Sequence, residues 1–192
     1  MMRALQFEEV GLPAHVLKLV ELPKPELGPG EVRLRMRLRP INPSDLLQVK
    51  GVYGRRPALP AVAGLEGLGV VDALGPGVAE FALGQRVVPM GGQGTWAEYL
   101  VSSVENLVAI PDGLADEAAA QVIVNPLTAW ILAVEELRLG EGAWLVQTAA
   151  GSSVGRCLIQ IAQLRAFRTL NLVRRPEEVQ ELLDLGGAAV LC

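Results

Sequence analysis

The fold of this chain is decided by the stretch Ala143-Trp144-Leu145-Val146-Gln147-Thr148-Ala149-Ala150-Gly151-Ser152-Ser153-Val154-Gly155. Its first part, Ala143–Thr148, is an apolar run of strand length, and a small-residue turn, Ala149–Ser153, follows it. From Val154 to Phe167 the apolar residues recur with helical spacing. A strand, a small-residue turn and a helix in this order are typical of a nucleotide-binding βαβ unit.

The alternation of strands and helices continues towards the C-terminus. A second strand is predicted at Arg168–Val173, a helix opened by Pro176 at Glu177–Leu185, and a third apolar run at Ala188–Cys192. The pattern β-α-β-α-β predicts an α/β fold over residues 121–192, the first half of a doubly wound Rossmann sheet. We expect this nucleotide-binding domain to be truncated after its third strand.

Towards the N-terminus, residues 1–120 predict a β-rich domain of the barrel type, since Gly and Pro separate many short strand-like runs. A helix capped by Asn42–Asp45 interrupts the strands and leads to Tyr53 in a loop. Beyond Pro111, residues 115–124 and 126–137 have helical spacing. The predicted strands are Met2–Val10, Val16–Leu22, Glu31–Leu38, Gly69–Leu74, Arg86–Met90 and Ala97–Val101.

The composition argues against several classes of partner. A net charge of -4 and a pI near 5.1 leave no basic field for a nucleic-acid backbone. The sequence contains no run of ~20 apolar residues, so we expect no membrane span. The N-terminus lacks the pattern of a targeting leader. The two cysteines, Cys157 and Cys192, form no disulfide framework, so we expect a cytoplasmic location.

The turn Ala150–Gly155 is placed to bind a pyrophosphate at a helix N-terminus. Only Gly155 matches the usual Gly-x-Gly-x-x-Gly pattern, because Ala150 and Ser152 replace its first two glycines. The hexapeptide alone therefore leaves open a tight turn in another α/β protein. The candidate cofactor-binding residues of the turn are Gly151, Ser152, Ser153, Val154 and Gly155.

The second strand ends in Arg174-Arg175, where NAD-binding sheets carry an acidic residue for the ribose 2′-hydroxyl. A carboxylate would repel a 2′-phosphate, whereas guanidinium groups form charge-assisted hydrogen bonds with it. Arg174 and Arg175 therefore favour NADPH over NADH, although two solvated arginines at a strand end remain an alternative.

Further motifs follow one another in a recognisable order along the chain. They are Ile41–Asp45, Lys50–Gly54, Leu59-Pro60, Gly64–Gly67, Gly94–Trp96, Val124–Ala129, Ser153–Gly155 and Ile159–Ala162. Together they resemble the mitochondrial-type 2-enoyl thioester reductases, which belong to the zinc-free branch of the medium-chain dehydrogenase/reductase superfamily. The resemblance covers essentially all 192 residues.

The resemblance implies a GroES-like catalytic domain followed by a Rossmann domain, and no metal. Zinc members of the superfamily carry Cys and His where this chain has Asn42 and Leu65, and His15 is the only histidine. The expected activity is NADPH-dependent reduction of a 2-enoyl thioester, in fatty acid metabolism, by a protein that is homodimeric when whole.

The resemblance also implies the roles of individual residues. Tyr53, in the Gly-x-Tyr-Gly turn, is the expected catalytic residue, since a phenol can donate a hydrogen bond or proton as negative charge develops. Asn42 and Asn125 are expected to contact the cofactor, and Trp96 to shape the substrate pocket. Packing roles remain open for Tyr53 and Trp96, and Pro126 beside Asn125 is also explained by helix initiation.

Two alternative functions remain. A zinc-free NADPH:quinone oxidoreductase would share the fold and the cofactor but would not need Tyr53. A different class, an inactive fragment or an NADP-binding module, is indicated by the absence of residues for the rest of the sheet.

Overall fold

Antiparallel strands dominate the first part of the chain in a computed structural model, which describes residues 1–54, 56–91 and 94–192. Gly92 and Gln93, in the glycine-rich turn before Trp96, lie outside the described residues. The chain divides into two units, Met1–Gln121 and Val122–Cys192, and each is described by itself.

The first unit contains two antiparallel sheets. One has the strand order β2-β1-β4 and the other β7-β3-β5-β6-β8. Its elements are β1 (Met2–Phe7), α1 (Pro13–Val16), β2 (Lys18–Leu22), β3 (Glu31–Leu38), α2 (Pro43–Val49), β4 (Ala61–Val62), β5 (Leu68–Leu74), β6 (Arg86–Pro89), β7 (Tyr99–Ser103), a 3₁₀ turn (Val104–Asn106), β8 (Leu107–Ala109) and α3 (Asp116–Ala119).

The core of the first unit follows the alternation of β3. Val32, Leu34 and Met36 are buried, while the residues between them reach towards solvent. These three pack with Val71 and Val87 in one cluster. A strand whose alternate side chains are apolar buries one face of its sheet, which is why Glu31–Leu38 was readily predicted.

The structure corrects several predicted strand bounds. The strand predicted at Val16–Leu22 begins only at Lys18, because Val16 is the last residue of helix α1 and Leu17 is its C-cap. Pro13 at the first helical position favours this helical turn. The strand predicted at Ala97–Val101 lies at Tyr99–Ser103. Strands β4 and β8 were missed, since two or three residues are too short for an alternating pattern.

The second unit is a parallel sheet with helices. Strand β10 lies in the middle of the order β11-β10-β9, and Leu170 pairs with Val146 on one side and Ala189 on the other. Its elements are α4 (Val124–Trp130), a π-helical continuation (Ile131–Glu136), β9 (Trp144–Gln147), α5 (Ser153–Arg165), β10 (Arg168–Leu172), α6 (Glu177–Asp184) and β11 (Ala189–Leu191).

The two helices predicted before β9 are shorter or less regular than expected. The helix predicted at 115–124 is reduced to the single turn α3, Asp116–Ala119. The helix predicted at 126–137 begins earlier, at Val124, and becomes π-helical after Trp130. Pro126 is tolerated because it lies within the first turn of α4, where its missing N–H has no helical partner to lose.

Small residues bring α4 and α5 close together. Ala129, Ala133 and Ala162 are buried in one cluster with Ile161 and Phe167. Side chains of this size let two helix backbones approach each other, so the alanine-rich character of the segment reflects packing. On strand β9, by contrast, Trp144 and Val146 are more than half exposed.

A buried polar network connects the sheet to α5. Gln147 donates to the backbone oxygen of Gly155 at 3.1 Å and to the side-chain oxygen of Asn171 at 2.7 Å. Asn171, which is fully buried, donates to the Thr169 hydroxyl at 3.0 Å and to the Ala189 oxygen at 2.9 Å. The network therefore joins all three strands of this sheet to the first turn of the helix.

We expect Asn171→Ala to lower the free energy of unfolding by about 1–3 kcal/mol, because it removes one of the two acceptors of the buried Gln147 amide and the donor to the Ala189 oxygen. Gln180→Ala is the matched control, since Gln180 is exposed and donates to the nearby side chain of Asp184, and it should change stability by less than about 0.5 kcal/mol. Urea denaturation of both variants measures the difference. Equal midpoints would contradict a stabilising role for the network.

Candidate functional site: a cleft at the turn between strand β9 and helix α5

The turn after β9 leads directly into the N-terminus of α5. Ser152 is the N-cap, and its hydroxyl accepts a hydrogen bond from the Gly155 N–H at 3.2 Å. Ala149 has a positive φ of 51°, which reverses the chain ahead of the helix. Backbone N–H groups and the helix dipole make such a terminus favourable for an anion.

Gly155 allows α5 to lie against the turn that follows β9. A Cβ atom at this position would lie 2.4 Å from the Ala150 backbone oxygen and 2.7 Å from the Ala150 Cα. Backbone atoms cannot move away as a flexible side chain can. The last glycine is therefore required by the close contact between the helix and the backbone of the turn.

A cleft of about 830 Å³ opens beside this turn, within the second unit. The turn and the end of β10 form its two sides, so the structure brings Gly151 and Ser152 together with Arg174 and Arg175. Ser153, Val154 and Gly155 lie in the first turn of α5 instead. The lining residues are Thr148, Ala149, Gly151, Ser152, Leu172, Val173, Arg174, Arg175 and Glu178.

The two arginines of the cleft are not equivalent. Arg175 forms a short ion pair with Glu178, three residues further on in the first turn of α6. The hydrogen bond from Arg175 lowers the pKa of Glu178, so this carboxylate is ionised at neutral pH. Arg174 is exposed, and its side chain forms no hydrogen bond or ion pair with any residue that the structure describes.

Glu178 was not predicted as a site residue. It is buried, and its carboxylate oxygen lies 2.3 Å from where a Cβ of Gly151 would be placed. The absence of a side chain at Gly151 thus allows the carboxylate of Glu178 to pack against the backbone of the turn. The signal in the sequence was the spacing Arg175 to Glu178, which puts the two side chains on one side of a helix start.

Arg156 is a second residue that sequence reasoning missed. Its Nε donates to the backbone oxygen of Gly151 at 3.0 Å, and its two terminal nitrogens bind Glu181 at 2.6 and 2.9 Å. Helix α5 therefore holds both the turn and helix α6. The hydrogen bonds to Glu181 raise the pKa of Arg156.

Asn42, in the first unit, is a buried N-cap. It forms a capping box with Asp45, whose carboxylate accepts from the Asn42 backbone N–H at 2.6 Å. The Asn42 amide donates to the buried carboxylate of Glu66 at 2.7 Å. Burial raises the pKa of Asp45, although backbone hydrogen bonds from Asn42 and Leu65 oppose this shift.

Tyr53 lies in the loop after α2 and is 46% exposed. It lies between Gly51 and Gly54, which both have positive φ, so the turn presents its side chain outward. We find no hydrogen bond from Tyr53 to another residue in the described ranges. A phenol placed in this way can donate to a ligand.

Trp96 and Asn125 complete the predicted set. Trp96 is 8% exposed, packs with Phe7 and Val49, and donates from its indole nitrogen to the Pro40 oxygen at 3.2 Å. Its packing is thus evident, and its role in a substrate pocket stays a prediction. Asn125 is the second residue of α4 and is half-buried.

The described residues contain neither a cluster of potential metal ligands nor a membrane-spanning helix. Among residues 1–54, 56–91 and 94–192 there is no group of three or more His, Cys, Asp or Glu that could hold a metal ion. Within the same ranges, none of the helices has both the length and the apolar character that a membrane span requires.

Comparison with known proteins places these features in context. Residues 28–112 match the alcohol dehydrogenase GroES-like domain. The chain is 40% identical over 190 residues to a mitochondrial enoyl-[acyl-carrier-protein] reductase of Arabidopsis thaliana, which covers 97% of this chain and 51% of the relative. The chain spans about half the length of the curated relatives it matches.

Solved structures are also similar to this chain over nearly its whole length. A Bacillus thuringiensis protein provisionally described as an NADPH:quinone reductase is 40% identical, with a TM-score of 0.93 over 99% of this chain and 57% of that one. A mycobacterial protein complexed with NADPH is 30% identical, with a TM-score of 0.88 over 98% and 58%. The comparisons confirm the predicted resemblance and the predicted fold class.

We expect Gly155→Ala to destabilise the second unit by about 2 kcal/mol through overpacking against Ala150. The sign is informative, because alanine in place of glycine inside a helix normally stabilises by about 0.5–1 kcal/mol. Gly113→Ala is the control, since a Cβ there meets nothing within 4 Å. Thermal unfolding followed by circular dichroism distinguishes the two, and a stabilised Gly155→Ala variant would contradict the close contact.

Proposed function

Because residues 28–112 belong to the alcohol dehydrogenase GroES-like domain family, we propose that the whole protein is an NADPH-dependent reductase that saturates 2-enoyl thioesters. The observation that carries this proposal is the cleft of the second unit. There Arg174 and Arg175 line the same space as Gly151 and Ser152 at the start of α5.

The cleft fits a phosphorylated dinucleotide in its chemistry. The N-terminus of α5 offers backbone N–H groups to a pyrophosphate, and Gly151 has no side chain to obstruct the approach. Guanidinium groups at the end of β10 suit a 2′-phosphate. Ser152, Ser153, Val154 and Gly155 would form the turn around the pyrophosphate. Asn42 and Asn125 are proposed as further cofactor contacts.

The reaction needs a hydride and a proton. NADPH held in the cleft would supply the hydride for the β-carbon of the enoyl thioester. Negative charge then develops on the thioester oxygen, and the Tyr53 hydroxyl assists protonation at the α-carbon. Tyr53 is exposed on its loop and therefore accessible to a substrate. We propose Trp96 as part of the pocket for the acyl chain.

A second candidate function is the reduction of quinones. It is favoured by the similarity to the Bacillus thuringiensis structure, whose description names a quinone substrate. Such a reaction can proceed without a proton donor at the α-carbon, so Tyr53 would be dispensable. Both candidate functions use the nucleotide cleft of the second unit. They differ in whether they require Tyr53 of the first unit.

Homodimer formation and a cytoplasmic location are also proposals. Similar curated proteins are described as mitochondrial, so the location rests on the sequence argument alone. The proposed divisions, 1–120 for the catalytic domain and 121–192 for the nucleotide-binding domain, assign one chemical role to each part of the chain.

We expect Tyr53→Phe to reduce the turnover of crotonyl-thioester with NADPH by about 100-fold in the whole protein, because it removes the proton donor. NADPH affinity should not change. Steady-state rates with crotonyl-thioester and with a quinone, measured on the same samples, provide the comparison. Undiminished enoyl reduction would remove Tyr53 from the mechanism, and activity on the quinone alone would favour the second candidate.

We expect residues 1–192 to bind NADPH more tightly than NADH in calorimetric titrations. Arg174→Ala should weaken NADPH binding about tenfold and leave NADH binding nearly unchanged, because a charge-assisted contact to phosphate is lost. Arg165→Ala is the control, since Arg165 does not line the cleft. Equal losses for both nucleotides would argue against a 2′-phosphate at Arg174.

A further inference from the structure

We propose that Glu178 determines how strongly the cleft discriminates between a 2′-phosphorylated and an unphosphorylated adenosine ribose. This inference rests on the proposed nucleotide site. The buried carboxylate of Glu178 lies among the lining residues of a cleft that otherwise suits an anion. Glu178 is thus a candidate specificity residue.

The carboxylate is held in place from two sides. Arg175 donates a short hydrogen bond to it from one side. On the other side the turn passes so close that Gly151 could not carry a Cβ without displacing the carboxylate. The side chain of Glu178 is 11% exposed, whereas that of Arg175 is 66% exposed. The carboxylate is therefore fixed under the turn, and Arg175 extends from it towards solvent.

The ion pair limits what Arg175 can offer a phosphate. A phosphate that binds Arg175 must share the guanidinium with Glu178 and approach a fixed negative charge. The two arginines and one glutamate together carry a net charge of +1. Arg174, which has no partner among the described residues, is the guanidinium available to a phosphate without competition.

The same carboxylate favours an unphosphorylated ribose. An ionised carboxylate only accepts hydrogen bonds, and a ribose hydroxyl can donate one. Acidic residues in this part of a Rossmann sheet bind the ribose 2′-hydroxyl of NAD. Glu178 offers that chemistry from the first turn of α6, beyond the end of β10. The cleft therefore combines a partner for the phosphate with a partner for the hydroxyl, and its preference for NADPH is moderated.

A merely structural role for Glu178 makes a different prediction. If the pair with Arg175 only stabilised the start of α6, its loss would lower the unfolding midpoint and weaken the binding of NADH and NADPH to the same extent. A specificity role changes the ratio of the two affinities. The ratio of the dissociation constants for NADH and NADPH is therefore the decisive quantity.

The experiment titrates residues 1–192 with NADPH and with NADH by calorimetry. Glu178→Gln keeps the size of the side chain and removes its charge, and we expect the NADH to NADPH ratio of dissociation constants to rise about tenfold. Glu177→Gln is the matched control, because Glu177 is the adjacent exposed acid and does not line the cleft. We expect it to change the ratio less than about twofold.

A second pair of variants tests the inference without relying on Glu178→Gln alone. Arg175→Ala leaves the negative charge of Glu178 without its partner. The NADH to NADPH ratio of dissociation constants should therefore fall below that of the wild type, because the unbalanced carboxylate repels a 2′-phosphate. Adding Glu178→Gln to Arg175→Ala should raise the ratio again. If the double variant behaves as Arg175→Ala does, Glu178 does not contribute to discrimination.

The outcomes distinguish a failure of the specificity role of Glu178 from a failure of the proposed nucleotide site. A wild-type chain that binds both nucleotides, with a ratio that Glu178→Gln leaves unchanged or with both affinities lowered equally, overturns the inference and leaves the proposed cofactor site standing. A wild-type chain that binds neither nucleotide overturns the proposed site and the inference with it.

Discussion

The contact between Gly155 and the backbone of Ala150 is the constraint on which the second unit depends. Because Gly155 has no side chain, the first turn of α5 can lie directly against the backbone of the turn that follows β9. Gln147 reinforces the arrangement by binding the Gly155 oxygen and Asn171 at once. The helix start, the strand end and the middle of the sheet thus form one connected structure.

Charge is arranged around this contact. Arg156 holds the oxygen of Gly151 and reaches Glu181, while Glu178 lies beneath Gly151 and binds Arg175. Helix α6 is therefore attached to the turn through Arg156, which binds both Glu181 and the Gly151 oxygen, while Glu178 of the same helix packs against Gly151. An anion that entered the cleft would meet these charges already ordered, which reduces the cost of organising the site around it.

The sequence was most informative where local pattern and tertiary structure agree. The parallel strands, α5 and the cleft-lining Gly151, Ser152, Arg174 and Arg175 follow from periodicity and from the position of each residue within a βαβ unit. Arg156 could not be found in this way, because its partner Glu181 lies 25 residues away on another helix. Glu178 has a local partner in Arg175, but its position against Gly151 depends on tertiary packing. The π-helical turn after Trp130 and the short strands β4 and β8 depend on tertiary packing and leave no periodic signal.

Glycine residues alone are an unreliable marker of such nucleotide-binding turns, as this chain shows. Ala150 is fully buried and Ser152 caps the helix, so a methyl group and a hydroxymethyl group are accommodated at two positions where glycine is usual. Only the third position excludes every side chain. A search that demands all three glycines would therefore pass over this protein, whereas one that weights the last glycine within its strand and helix would retain it.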